Sequence, residues 1–210
     1  MVVPITLHML PSSFVHRLTK IFLATAASAV LTLGTARAAT ETYAIDPVHS
    51  SVGFSIRHFV SKVQGKFTKF SGTITVDRAN LEKSSVTAKI EIASISTADP
   101  DRDTHLKSPD FFNAEKYPAM TFTSTSWKKT GEDAFDITGD LTIKGIMKRV
   151  VLKTTLLGFG PGSQGAQLSG WEATTTVKKA DFDLTGPAIL GTMLGDDVTI
   201  TIAVESILKK

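Results

Sequence analysis

The stretch that decides the fold is "AFDITGDLTIKG", residues 134–145, in which apolar and polar side chains alternate. Phe135, Ile137, Leu141 and Ile143 fall on one face of an extended chain, and Asp and Thr residues fall on the other. Because successive side chains of a β-strand point to opposite faces, this pattern predicts a strand with one buried and one solvated face. Such strands are typical of antiparallel sheets.

The same period-two pattern recurs along the chain, in "HSSVGFSIRH" (49–58), "SGTITVD" (71–77), "SVTAKIEI" (85–92) and "DDVTITIAVESI" (196–207). Thr, Val and Ile fill these runs, and turn residues separate them, which predicts roughly eight to ten strands. A sandwich of the immunoglobulin type needs only about 100 residues, so the greater length of this chain favours a closed barrel. We therefore expect an all-β fold, a single antiparallel eight-stranded barrel with short helical segments closing its ends.

Two stretches interrupt the alternation. The first is "DRDTHLKSPDFFNAEKYPAMTF", residues 101–122, where one or two helical turns are expected with Asp103 or Thr104 as the cap. The second is "GPAILGTMLGDD", residues 186–197, a small apolar turn or short helix between glycines. Both are expected to close the ends of the barrel or to lie across its mouth.

The first 38 residues have the composition of a secretory signal peptide. Arg17 and Lys20 precede the apolar run "IFLATAASAVLTLG", which ends at an Ala-x-Ala signal, Ala36–Ala38. We expect cleavage after Ala38, export to the periplasm, and one barrel domain over residues 39–210. Met9 is an alternative start, and a retained membrane anchor is the alternative to cleavage.

Composition excludes several classes of protein. The chain has no cysteine, which excludes disulfides, thiol catalysis and iron–sulfur clusters. The signal segment holds three of the 23 basic residues and none of the 20 acidic ones, so the rest of the chain carries twenty of each. A near-zero charge without a basic stripe gives no reason to expect a nucleic-acid partner.

Apolar residues of the strands can be drawn as one inward-facing surface: Phe54, Ile56, Phe67, Phe70, Ile90, Met120, Phe122, Leu141 and Trp171. Others lie in the two interrupting stretches: Leu106, Phe111, Ile189, Met193 and Leu194. The pattern is compatible with a filled core and with a ligand cavity, and it does not separate the two.

Polar chemistry is sparse. His49, His58 and His105 are the only histidines after residue 38, and their spacing matches no common zinc motif. Asp99, Asp101, Asp103 and Asp110 match four positions of an EF-hand loop, but Thr104 replaces its glycine and no closing Glu follows. Arg102 is expected to pair with neighbouring carboxylates, or to face ligand oxygens together with His105 if the loop borders a cavity.

These stretches together resemble the YceI-like proteins, bacterial periplasmic polyisoprenoid-binding proteins with a lipocalin-like barrel. The resemblance rests on "YAIDPVHSSVGFSIRHF" (43–59), "VQGKFTKFSGTITVD" (63–77), residues 101–122, "GDLTIKGIMKRVVL" (139–152) and "DFDLTGPAILGTMLGDDVTITIAVESI" (181–207). His49 and His58 match the family's first motif, and Arg102, His105, Leu106, Phe111 and Phe112 match its central one.

The resemblance implies a tunnel that holds an isoprenoid quinone, a polyprenyl compound or a similar long-chain lipid without covalent attachment, and no other cofactor or metal. With the residue pattern it gives the expected ligand-binding set, which comprises Phe54, Ile56, His58, Phe67, Phe70, Ile90, Arg102, His105, Leu106, Phe111, Met120, Phe122, Leu141, Trp171, Ile189, Met193 and Leu194.

Two other functions compete with the lipid carrier. One is a metal-assisted or acid–base enzyme that uses His49, His58 and His105. The other is an interaction module with a transient membrane redox partner. The chain is expected to act as a monomer or homodimer, and the carrier hypothesis predicts no catalysis.

Overall fold

The computed structural model of the protein describes residues 40–191 and 193–210, so the expected signal segment and its cleavage site lie outside the described residues. Within these described ranges, eleven strands form one antiparallel sheet. They are β1 (Glu41–Ile45), β2 (Ser51–His58), β3 (Ser61–Phe67), β4 (Phe70–Val76), β5 (Ser85–Glu91), β6 (Ile95–Ser96), β7 (Ala119–Lys129), β8 (Ala134–Ile143), β9 (Ile146–Pro161), β10 (Gln167–Lys178) and β11 (Leu194–Leu208).

The sheet closes on itself as an eight-stranded barrel, which confirms the predicted fold class. β11 pairs with β10 on one side, and on its other side with β2 over its first part and with β1 at its end. β1 and β2 therefore act as two halves of one barrel strand. β4 and β3 continue the ring in the same way, because β4 pairs with β1 and β3 pairs with β2.

The alternation seen in the sequence sets which side chains face inward. In β8, Phe135, Ile137, Leu141 and Ile143 are buried together with Gly139, and the residues that alternate with them are half-exposed. The strands consequently present an apolar inner face around the whole ring and a Thr-, Lys- and Asp-rich outer face.

The helical stretch begins earlier than predicted. Helix α1 spans Pro100–Lys107, and Asp99 is its N-cap, accepting a hydrogen bond from the backbone N–H of Arg102 at 3.1 Å. The predicted cap at Asp103 or Thr104 is wrong, because Pro100 fixes a helical φ at the first position and Asp99 satisfies the free N–H groups one turn earlier. Single 3₁₀ turns occur at Leu81–Lys83, Ile92–Ser94, Ser163–Gly165, Lys179–Phe182 and Ala188–Leu190.

Both interrupting stretches lie at the same end of the barrel. Four antiparallel strands, β7 to β10, separate them, and an even number of reversals returns the chain to the end from which it left. A contact agrees, since the Phe111 ring of the first stretch lies against Gly186 of the second. We call this end the mouth. No helix in the described part of the chain is long and apolar enough to span a bilayer.

Candidate functional site

The barrel encloses an elongated space that its own side chains do not fill. This cavity has a volume of about 620 Å³ and is lined by residues from nearly every strand of the ring. Its volume lies within the range of sites that hold small organic ligands, about 300–1,000 Å³. The sequence pattern was compatible with a filled core and with a cavity, and the structure has a cavity.

The residues expected to form the wall are brought together, with two exceptions. All members of the expected ligand-binding set except Ile189 and Met193 line the cavity. Ile189 is 78% exposed, so its predicted place in the wall is wrong. Both exceptions belong to the short stretch at the mouth, where no strand alternation fixes the direction of a side chain.

Aromatic rings of the wall occupy space that glycines leave free. An added Cβ at Gly65 would meet Phe54 Cζ at 2.3 Å, and one at Gly139 would meet Phe122 Cζ at 2.3 Å. The two rings thus sit back against the neighbouring strands, over backbone that carries no side chain. Had these glycines been larger residues, the rings would project further into the cavity.

An aromatic cluster closes the end of the cavity opposite the mouth. Trp127 and Trp171 meet edge to face with ring centroids 5.4 Å apart, and Phe159 follows at 5.9 Å from Trp171 and 6.0 Å from Tyr43. Trp127 lies eight residues along β7 from Ala119, at the mouth, which corresponds to roughly 26 Å. Edge-to-face pairs pack densely, so the protein's own aromatic rings fill the barrel at this end and bound the cavity there.

Sequence reasoning included Trp171 in the wall but missed Trp127, which also lines the cavity. It likewise missed apolar wall residues that share the period-two pattern: Ile45, Val52, Ile74, Val86, Val150, Leu152, Ile200, Ile202 and Val204. The alternation in their strands is the signal that could have found them.

The mouth carries charged side chains of the wall, and its arginine is already engaged. Arg102 donates from Nε to Thr97 Oγ1 and from Nη2 to the Thr97 carbonyl, both at 2.8 Å, and its Nη1 lies 3.6 Å from Asp99. The prediction that Arg102 pairs with a neighbouring carboxylate is thus confirmed. Because these bonds join α1 to Thr97, the residue after β6, the Arg102 side chain fixes the loop.

The aspartates of this loop are bonded within it as well. Asp103 accepts hydrogen bonds from the backbone N–H of Thr97 at 2.8 Å and from its hydroxyl at 2.6 Å. Since Asp99 caps the helix, these carboxylates do not surround a common point as EF-hand ligands do. Asp110 lies 3.1 Å from His105 Nε2, and the His105 ring meets the Phe111 ring edge-on at 5.1 Å.

The histidines are spread over the length of the barrel. His58 pairs with Leu194 at the start of β11, whereas His49 lies beside Glu205, eleven residues further along the same strand. That separation is roughly 36 Å, so the two imidazoles cannot share a metal ion or a substrate. The hypothetical enzyme site built from His49, His58 and His105 is therefore not assembled.

His49 belongs instead to a cluster in the bridge between β1 and β2. Among the described residues, Asp46, His49 and Glu205 form the one set of three side chains that could converge on a metal ion. His49 Nδ1 lies 2.7 Å from Asp46 Oδ2, and this hydrogen bond raises the pKa of His49 and lowers that of Asp46. The backbone N–H of Asp46 donates to the Glu205 carbonyl at 2.9 Å, so the cluster fastens the bridge to β11.

Fold and cavity together define the class: a lipocalin-like, up-and-down β-barrel with an apolar interior and one polar mouth. A model of the YceI-like domain matches residues 43–206. The protein YceI of Escherichia coli is 40% identical over 190 residues, which cover 89% of this chain and 96% of that protein. The chain belongs to the YceI-like family.

Solved structures agree with this assignment. A YceI protein from Campylobacter jejuni matches with a TM-score of 0.65 and 35% identity, over 72% of this chain and 88% of that one. A polyisoprenoid binding domain from Saccharophagus degradans has the same fold, with a TM-score of 0.64 at 15% identity over 80% and 98% of the two chains.

Proposed function

We propose that this protein is a periplasmic carrier that holds a polyisoprenoid lipid, of the quinone or polyprenyl type, in the barrel cavity. The observation that carries the proposal is the cavity of about 620 Å³ with a wall of apolar side chains. It is long, closed by rings at one end and polar at the other, which matches an amphiphile with one long hydrocarbon chain. The polyisoprenoid binding domain with the same fold supports the choice of lipid.

Burial of the hydrocarbon supplies enough free energy for such a complex. Each buried methylene contributes about 0.8 kcal/mol, so a chain of about twenty carbons contributes roughly 16 kcal/mol before costs. Association costs about 4–15 kcal/mol in lost motional freedom. The chain alone can therefore hold the complex, and the mouth needs only to orient the head group.

The polar groups at the mouth support binding and not catalysis. Arg102 holds Thr97 and His105 lies against Asp110, so both side chains are engaged in contacts within the protein. A carrier needs no nucleophile or general base. We accordingly assign the protein no reaction, no metal and no covalent cofactor.

The proposal is tested by lipid analysis of the purified protein. Protein from a native-like host is extracted with organic solvent, the lipids are identified by mass spectrometry, and an emptied sample is offered a polyprenyl alcohol. We expect one dominant long-chain species and renewed uptake of the added alcohol. Absence of both would contradict the proposal.

A matched pair of variants links the lipid to the cavity. Ala173 lines the cavity and Thr176, on the same strand, is exposed. Ala173→Trp fills part of the ligand space, whereas Thr176→Trp adds the same side chain outside the barrel. We expect lipid to be lost from A173W and retained by T176W; equal retention would show that the lipid lies elsewhere.

A further inference from the structure

The tip of the hairpin between β2 and β3 has a composition that its backbone does not favour. His58 pairs with Ser61, so Phe59 and Val60 alone form the turn. Two-residue hairpin turns prefer Asn and Gly because their central residues adopt positive φ, and Phe59 does so with φ of 50°. A bulky residue in this region is strained, which makes the position a candidate for a function other than folding.

Packing offsets little of this strain: the Phe59 ring meets the adjacent His58 ring edge-on, with centroids 4.8 Å apart, and about half of Phe59 stays exposed. Val60 is 104% exposed and Phe59 is 52% exposed, although two large apolar side chains gain stability only when they are removed from water. The Phe59 N–H donates a hydrogen bond to the Met193 carbonyl at 2.8 Å, on the second interrupting stretch, where Ile189 is also 78% exposed. This hydrogen bond ties the base of the tip to the mouth, while its two side chains remain exposed.

This exposed tip stands beside the mouth of the cavity. His58, directly before the turn, lines the cavity, and so do Ile56 and Val63 on the two strands that lead to it. An object that contacts Phe59 and Val60 consequently lies next to the opening through which a ligand must pass.

The hairpin is also basic. From Ser51 to Phe67 it carries Arg57, Lys62 and Lys66 and no acidic residue. Arg57 and Lys62 are directly opposite each other, an arrangement of like charges that destabilises a strand pair. Arg57 also donates from Nη1 to the Phe59 carbonyl at 3.1 Å, so one cation is fixed at the base of the tip.

Acidic residues lie near these cations on one side. A shallow groove is lined by Arg57, Lys62, Asp196 and Asp197, but Lys178 Nζ lies 3.0 Å from Asp197 and 3.9 Å from Asp196. Lys178 thus offsets part of the acidic charge. Among the described residues, no ion pair joins Arg57 or Lys62 to these carboxylates, so both cations can face an external anion.

We propose that the hairpin tip docks the protein on an anionic lipid bilayer, with Phe59 and Val60 in the interfacial layer and Arg57 and Lys62 at the lipid phosphates. Exposed apolar side chains flanked by cations are the combination that binds such surfaces, because burial and electrostatic attraction add. This inference rests on the proposed function, since a membrane is where a polyisoprenoid lipid would be collected or delivered.

The test measures sedimentation of the purified protein with vesicles of equimolar phosphatidylcholine and phosphatidylglycerol, and with vesicles of phosphatidylcholine alone. The tip variant is F59S/V60S. The control is V48S/L157S, which removes two apolar side chains that are 80% and 61% exposed away from the mouth. We expect the tip variant to lose about tenfold or more in vesicle affinity and the control to match the wild type. K62Q is expected to weaken binding to the anionic vesicles about fivefold.

Several outcomes would overturn the docking proposal: no binding of the wild type, equal binding of the tip variant, an equal loss in the control, or equal affinity for the two vesicle types. Thermal unfolding of each variant checks that the barrel is intact. Measuring the lipid extracted from the same samples distinguishes a failure of docking from a failure of the proposed carrier function. A tip variant that keeps its bound lipid but fails to take up lipid from vesicles supports docking, whereas a wild type without bound lipid contradicts the carrier itself.

Discussion

Replacing Gly65 with Ala tests whether the cavity depends on where the Phe54 ring lies. The new Cβ would meet Phe54 Cζ at 2.3 Å, Phe54 Cε1 at 2.7 Å and Thr97 Cγ2 at 2.9 Å, whereas ordinary contacts begin near 3.4 Å. The ring must retreat by about 1 Å, and since Thr97 blocks one side, it moves toward the cavity.

The expected magnitudes follow from this displacement. Overpacking of this kind costs about 1–3 kcal/mol, which lowers Tm by about 2–12 °C in a domain of this size. If the ring takes the space of two chain carbons, the ligand loses about 1.6 kcal/mol, or roughly 15-fold in affinity.

Gly160→Ala is the matched control, because an added Cβ there meets nothing within 4 Å. It should leave the affinity unchanged and alter stability by less than about 1 kcal/mol. The assays are thermal unfolding and titration of the emptied protein with a polyprenyl alcohol. A G65A protein with wild-type Tm and affinity would refute the idea that glycine contacts hold the wall rings back.

Three further predictions concern the wall, the aromatic end and the strand closure. Phe54→Ala or Trp171→Ala should reduce the lipid retained through purification more than Arg102→Ala, because buried hydrocarbon supplies most of the affinity; the reverse order in quantitative extraction would show that head-group contacts dominate. Burial and the Glu41 carboxylate, 2.7 Å away, raise the pKa of Tyr43 to about 12 from 10.0. Neutral Tyr43 therefore contributes fully to the free energy of unfolding below about pH 10, and this contribution is lost as the pH rises toward 12. The Tyr43→Phe variant should show neither this loss of stability nor the late phenolate absorbance step in a spectroscopic titration. Ser206 is fully buried and its hydroxyl lies 2.7 Å from that of Ser169, so Ser206→Ala should destabilise the barrel by about 1–2 kcal/mol in denaturant unfolding, and no change would show that the pair is not important for closure.

The sequence predicted the elements whose information is local. Alternation in residues 134–145 identified both β8 and its inward side chains, because the period of two belongs to the strand itself. The helix was expected but its start was misplaced, although Asp99 followed by Pro100 is the local signal for the observed cap. The local sequence therefore contains the information needed to place the start of this helix correctly.

The relative position of the two interrupting stretches, in contrast, does not follow from the residues within each stretch. Each was recognised as non-strand, but their meeting at one mouth depends on the four strands between them. Likewise, Arg102 was correctly expected to pair with a carboxylate, whereas its bonds to Thr97 depend on the path of the chain before α1. The exposure of Ile189 followed no pattern that the sequence displays.

By itself the sequence determined which side chains of each strand face inward, since that depends only on the pleat. Whether those inner faces meet or stand apart was decided by the closure of β1 and β2 on β11, segments from opposite ends of the described chain. Ring size fixes the distance between opposite walls, and no residue pattern along one strand contains that distance. The empty interior, and with it the capacity to hold a lipid, is thus a property of the closed barrel.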